Sequence, residues 1–269
     1  MEEVTKEELK AILHSFQKDK IPRPDGWTVE FLLASYDIIG HDLLHLVEET
    51  RINGLLHHPL NSTFLSLIPK KDKPEILEDY RPISLCNITY KVVIKIIAQR
   101  LKKVLSKIIS KEQFKFLEDR QIHEAIGVAQ EGLHSAKTKK AKGAIFKIDL
   151  SKAFDKVSWI YLLTHLGFNY AFIKWVFACI TTASFVVLIN GATSPFFHSE
   201  RGLCQGCPLS PLLFLLVVEG LSRALLDAKR RGQSEGLRVA TNLNITHLLF
   251  VDDILIFCNG SLKEAENLS

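Results

Sequence analysis

The sequence predicts an α+β fold with an antiparallel sheet, and three observations carry that prediction. Helical periodicities and short strand-like runs follow one another irregularly, not as the regular alternation of a parallel sheet. Residues 185–197 and 245–258 each read as a hairpin. An acidic pair, Asp252-Asp253, interrupts the second of these, with Leu248-Leu249-Phe250-Val251 before it and Ile254-Leu255-Ile256-Phe257 after it, so the pair reads as a two-residue tip. With 269 residues and 47% hydrophobic content, the chain can bury a substantial core as one large domain or two interlocked subdomains.

The elements follow in order. Thr5 as N-cap with Glu8 three residues on, then Leu9, Ile12, Leu13 and Phe16, predicts a first helix. A stiff turn, Pro22-Arg23-Pro24-Asp25-Gly26, ends that segment, and a second helix is expected over residues 28–53. Residues 63–68 read as a strand closed by Pro69, and Pro82 forbids a helix around residues 80–84. Over residues 89–110, Val93, Ile97, Leu101, Val104, Leu105 and Ile108 form one helical stripe while Lys91, Lys95, Lys102 and Lys103 fall largely elsewhere, an amphipathic basic helix. Residues 144–149 read as a strand ending in Asp149. Asn190-Gly191 suits the turn of the first hairpin. Ser210, Pro211, Arg230, Arg231 and Gly232 mark the two ends of a long helix whose first turns are continuously apolar.

Charge and cysteine usage narrow the function classes. The net charge is only +4, yet residues 91–142 hold 13 Lys and Arg against 5 Asp and Glu, a basic stretch that suits a polyanion or a solvated helix face. The N-terminus lacks the apolar segment of a secretory signal, the uncharged window 175–199 is broken by turn residues, and no membrane partner is expected. Five cysteines, an odd number, argue for free thiols in a reducing compartment. Cys204 and Cys207 form a Cys-x-x-Cys pair, but a structural zinc needs four ligands and the other cysteines are isolated along the chain. His41 and His45 imitate a zinc-protease helix without its glutamate, so a solvated helix face is the simpler reading.

Two carboxylates a few ångströms apart repel unless a cation lies between them. A divalent metal is one account of Asp252-Asp253, and a solvated turn is the other. Asp149 supplies a third carboxylate: if its strand pairs with the hairpin, Asp149 and Asp252 would face each other and hold two cations about 3.5–4 Å apart, as in phosphoryl transfer. Hard oxygen donors select Mg²⁺, with Mn²⁺ as the alternative. Lys70, Lys71 and Arg81 are candidates to clamp a triphosphate.

The segments Lys147-Ile148-Asp149-Leu150-Ser151-Lys152-Ala153-Phe154-Asp155, residues 201–211 and Phe250-Val251-Asp252-Asp253 resemble, in order and spacing, the polymerase motifs of reverse transcriptases. With Leu67-Ile68-Pro69-Lys70, Tyr80-Arg81-Pro82-Ile83-Ser84-Leu85 and the Pro-Asp-Gly turn, the chain resembles a plant-like non-LTR (LINE-type) retrotransposon reverse transcriptase over nearly its whole length. The resemblance implies polymerase fingers over residues 1–142 and a palm over residues 143–269. It implies an RNA template, a DNA primer, deoxynucleoside triphosphates, two Mg²⁺ ions and nuclear action. Asp149 and Asp252 would be metal ligands with the Leu150 carbonyl, and Asp253 would tune the site. Phe154 would exclude a ribose 2′-hydroxyl, Arg81 and Lys70 would meet the triphosphate, and Gln205 with Gly206 would line the nucleotide pocket.

The chain also departs from the family. Cys204 and Cys207 stand where an arginine and an aspartate are common, and Arg23 stands where a glycine is. Only 16 residues follow Asp253, so the resemblance implies that the thumb is absent and the chain is a fragment or decayed copy. A catalytically silent RNA-binding remnant and an intron-maturase-like protein are the alternatives.

Overall fold

The fold, a computed structural model, is described for residues 2–18, 25–117, 120–140, 142–164, 167–189, 191–240, 243–261 and 264. Residues Lys20 to Pro24 of the expected proline turn and Asn190 of the expected Asn-Gly turn lie outside these. The chain forms a mixed α+β fold with open sheets, organised as two compact units. Each unit is built from two stretches of chain: residues 1–101 with 154–211, and residues 102–153 with 212–269.

The first unit opens with α1 (Lys6–His14), where the Thr5 hydroxyl accepts from the Glu8 amide at 3.1 Å as the capping pattern predicts. The single helix expected over residues 28–53 is two, α2 (Val29–Ala34) and α3 (Tyr36–Asn53), separated at Ser35. Thr28 caps the first and left-handed Gly54 closes the second, so the expected bounds hold, while the break at Ser35 carries no proline or glycine to announce it. His41 and His45 lie exposed on α3. The hairpin β1 (Ser62–Pro69) and β2 (Tyr80–Cys86) follows, antiparallel throughout.

Helix α4 (Ile88–Ile108) begins under a cap supplied from far away in sequence: one Asp25 oxygen accepts from the Ile88 amide at 3.2 Å and the other from Trp27, also at 3.2 Å. The aspartate of the Pro-Asp-Gly turn is therefore a helix cap. Val93, Ile97, Leu101 and Leu105 are buried as the stripe predicts. Val104 is instead exposed, and Lys91 is buried because Val92, Ile94 and Ile96 are buried too, so the first half of α4 is enclosed all round.

Later in this unit come α6 (Trp159–Thr164) and α7 (Tyr170–Thr181), then β4 (Ser184–Ile189), β5 (Ala192–Thr193) and β6 (Phe197–His198). Strands β5 and β6 both return antiparallel onto β4, the hairpin expected at residues 185–197. The antiparallel expectation fails at one junction: β1 and β4 pair in parallel, which no local turn could encode. Trp175 is fully buried and donates its indole N–H to Thr50 at 3.1 Å, joining α7 to α3.

The second unit holds α5 (Ile122–Thr138), β3 (Ala144–Asp149), most of α8 (Ser210–Arg230), β7 (Leu237–Ala240), β8 (Leu243–Ile245), β9 (His247–Phe250) and β10 (Asp253–Cys258). Strand β3 and helix α8 match their sequence expectations. Strands β3, β10 and β9 form an antiparallel sheet in that order. Its core gathers Leu237, Val239, Ile245, Leu248 and Phe257, with Phe114, Ala129 and Ala136 packed against them. Burying each large side chain contributes about 1.5–3 kcal/mol gross. Among the described residues no helix is long and apolar enough to cross a membrane.

Candidate active site

Asp149, Asp252 and Asp253 lie at one end of the second unit's sheet, in a register one residue away from the expected one. Asp253, the first residue of β10, is the cross-strand partner of Asp149, the last residue of β3, so these two share a face. Asp252 lies in the connecting turn, and its carbonyl accepts from the Leu150 amide at 3.4 Å. The acidic tip expected at Asp252-Asp253 is thus a turn at Val251-Asp252. Strand β10 starts earlier than the sequence suggested because Asp253 also pairs with Phe250.

That shift places an unusual residue in the turn. Val251 is buried and adopts φ +63, the left-handed region that a β-branched side chain resists by about 1–3 kcal/mol. The surroundings hold it there. Residues 112–114 run parallel to β9: the Leu249 amide donates to the Glu112 carbonyl at 2.8 Å and its carbonyl accepts from Phe114 at 3.1 Å. Beneath them lies a buried polar chain. Glu219 accepts from the Ser110 amide at 2.8 Å, the Ser110 and Ser222 hydroxyls are 2.6 Å apart, and Ser222 lies 2.8 Å from His247 Nε2. His247 is fully buried, and burial pushes its imidazole down to about 4.

Lys147, on the same face as Asp149, places its ammonium 3.2 Å from Asp253. The sequence reading missed it, although its position two residues before Asp149 on one strand was a usable signal. The aspartate carboxylates and the Leu150 carbonyl are hard-oxygen donors, the type that suits Mg²⁺ or Mn²⁺, but among the described residues no three candidate ligands are grouped closely enough to hold an ion.

In the first unit the expected nucleotide-binding residues lie on segments stitched together through backbone. The Ser84 amide of β2, the strand that carries exposed Arg81, donates to the Gln205 carbonyl at 2.9 Å. Leu203 donates to the Phe154 carbonyl and Gly202 to the Val157 carbonyl, each at 2.9 Å, and the Trp159 indole N–H reaches the Gly202 carbonyl at 2.6 Å. Arg81, Phe154, Gln205 and Gly206 are thereby brought onto connected segments. Lys70 sits at the end of the β1–β2 hairpin, where its ammonium donates to the Glu78 carbonyl at 2.8 Å. Asp155 contributes through its backbone, which lies against Gly202 so closely that a Cβ there would stand 2.8 Å from the Asp155 carbonyl oxygen.

Of the two cysteines that replace charged residues, Cys207 is buried and Cys204 is half-buried. Burial pushes the Cys204, Cys207 and Cys179 thiols up, which favours the protonated form. Tyr90 is raised too, by burial first and then by the fields of Cys207, Cys204, Cys179 and Cys86. Cysteines scattered in sequence thus surround one buried phenol.

The strand-terminal aspartate paired with the acidic turn and, within the first unit, the glycine turn docked on residues 154–157 occur in the order that the polymerase resemblance implies. Residues 68–269 match the family described as reverse transcriptase (RNA-dependent DNA polymerase), and the chain belongs to that family, on its non-LTR (LINE-type) side related to R2-type elements. It is 32% identical over 219 residues to the Transposon TX1 uncharacterized 149 kDa protein of Xenopus laevis, covering 80% of this chain and 17% of that protein. To the Retrovirus-related Pol polyprotein from type-1 retrotransposable element R2 of Popillia japonica it is 23% identical over 257 residues, 94% of this chain and 34% of that protein. The chain therefore spans a sixth to a third of these relatives' lengths. The structure of apo telomerase from Candida Tropicalis shares its fold at a TM-score of 0.53 and 12% identity, over 80% of this chain and 46% of that one.

Proposed function

We propose that this chain is the RNA-directed DNA polymerase part of a retrotransposon protein, extending a DNA primer on an RNA template with deoxynucleoside triphosphates. The observation that carries the reading is the register that sets Asp149 beside Asp253 while the Leu150 amide donates to the Asp252 carbonyl, which places the three aspartates at the same end of one sheet. Asp149, Asp252 and the Leu150 carbonyl would hold two Mg²⁺ ions, which when bound supply acidification of the primer 3′-hydroxyl and charge neutralisation at the triphosphate. Asp253 keeps Lys147 beside the site, where the ammonium offsets the mutual repulsion of the carboxylates. In the first unit Arg81 and Lys70 supply cations for a triphosphate, Phe154 supplies the ring that excludes a 2′-hydroxyl, and the turn at Gln205-Gly206 lets a base or sugar approach backbone closely. Action in the nucleus and a plant-like origin are part of this proposal, the first supported by the family resemblance alone and the second by motif spelling alone.

Primer extension on an RNA template with Mg²⁺ or Mn²⁺ tests this directly. Asp252→Asn is expected to lower extension by at least about 1000-fold, the scale of losing a principal electrostatic contributor. If wild type and Asp252→Asn are equally silent while salt-sensitive RNA binding persists, the chain is a binding remnant and the polymerase reading fails. Phe154→Ala is expected to admit ribonucleotides, and unchanged sugar selectivity would count against the gate.

A further inference from the structure

We infer that Gln113 is a positioning residue for the acidic turn: its buried carboxamide holds the left-handed backbone at Val251 and thereby aims Asp252. Gln113 is 1% exposed, in a basic stretch where an uncharged amide carries no obvious signal. Its Oε1 accepts from three backbone amides, Phe114 at 2.9 Å, Lys115 at 3.2 Å and, in a longer contact, Val251 at 3.5 Å. The first two bonds are local, whereas the third spans 138 residues and ends on the strained residue itself. Its Nε2 is buried with no hydrogen-bond partner among the described residues. An unpaired buried amide is costly, so what compensates for burying this side chain is its oxygen.

The backbone that carries this side chain is itself anchored. Arg120 donates to the Gln113 carbonyl at 2.8 Å and to the Ile109 carbonyl at 3.2 Å, and Glu219 fixes the Ser110 amide at 2.8 Å, so residues 109–113 form a braced segment. The same segment flanks Leu249 through the two backbone bonds from Glu112 and Phe114. A valine does not adopt φ +63 unaided, and the groups fixing its neighbours leave its own N–H to Gln113. A glycine at the same position would adopt that angle without help.

This inference rests on Asp252 being a metal ligand, so the decisive readout is taken without metal. Hydrogen exchange of residues 248–255 in the metal-free full chain is measured for wild type, Gln113→Asn, Gln113→Met and the double variant Gln113→Asn with Val251→Gly. Asparagine keeps a carboxamide for the local amides but is one methylene too short for Val251, which protects against simple unfolding. Both single Gln113 variants are expected to speed exchange at the turn about 10-fold or more. They should weaken Mn²⁺ binding, read by electron paramagnetic resonance, by a similar factor, and lower kcat with an unchanged KM for nucleotide. Val251→Gly in the Gln113→Asn background should recover most of the lost protection. Wild-type exchange in Gln113→Asn, or no recovery on adding glycine, overturns the inference and leaves Gln113 a core residue. A wild type that neither binds Mn²⁺ nor extends a primer defeats the polymerase reading instead, and the exchange comparison still decides the role of Gln113.

Discussion

Two turns in this molecule reach the left-handed region by opposite means. Gly202 in the first unit sits at φ +89 with its missing side chain filled by the Asp155 backbone, and three hydrogen bonds dock the segment around it. Val251 in the second unit sits at φ +63, buried and β-branched, held by the residues around it. The first conformation is written in the residue type. The second is imposed by tertiary structure on a residue that opposes it, and it falls next to the carboxylate on which the proposed chemistry depends. A docking turn needs only to fit, whereas a turn that aims a side chain can store strain when its surroundings over-determine it.

The sharpest way to break this contrast is Gly202→Ala. A Cβ 2.8 Å from a backbone carbonyl oxygen cannot be relieved by a rotamer change, and φ +89 adds its own penalty. We expect a loss of about 4 kcal/mol, read by denaturant unfolding, with Phe154 and Leu203 separating. A change below about 1 kcal/mol would show that the docking in the first unit is looser than its hydrogen bonds imply.

Acid attacks the other turn. His247 is depressed by burial from its ordinary 6.5 to about 4, so the unfolded chain binds its proton first. The stability this group contributes is complete above pH 6.5 and is lost as pH falls towards 4, by about 3 kcal/mol in all. Opening of β9 and the Val251 turn, followed by hydrogen exchange, should track that window. His247→Gln should flatten it, and an unchanged pH profile would remove His247 from the support of the turn.

The smallest effect is the most diagnostic. A buried valine cut to glycine loses roughly 1.5–3 kcal/mol of burial. At Val251, relief of about 1–3 kcal/mol of strain offsets it. Val251→Gly should therefore change unfolding free energy by less than about 1 kcal/mol, while a full burial penalty in denaturant melts would mean that the turn carries no strain.

Legibility in the sequence followed the range of the interactions. The Thr5 cap, strand 144–149 and the helix ending near Gly232 were readable because their signals sit within a few residues of the structure they specify. The break at Ser35 and helices α5 and α7 were missed, since apolar residues there serve packing partners distant in the chain. Asp149, Asp252 and Asp253 were readable as a set, but their register was not: both runs flanking the tip are continuously apolar, so no alternation marks which face each residue takes, and pairing with β3 fixed it.

The sequence alone determined the class of elements, the three carboxylates and the motif order that links them to reverse transcriptases, because residue type and spacing carry those directly. Tertiary structure decided the rest. Residues 112–114 brace Leu249, Gln113 reaches Val251, Lys147 lies against Asp253, and four scattered cysteines enclose Tyr90. Each depends on groups far apart along the chain, where local propensity has no hold and only packing and hydrogen-bond satisfaction choose among the arrangements.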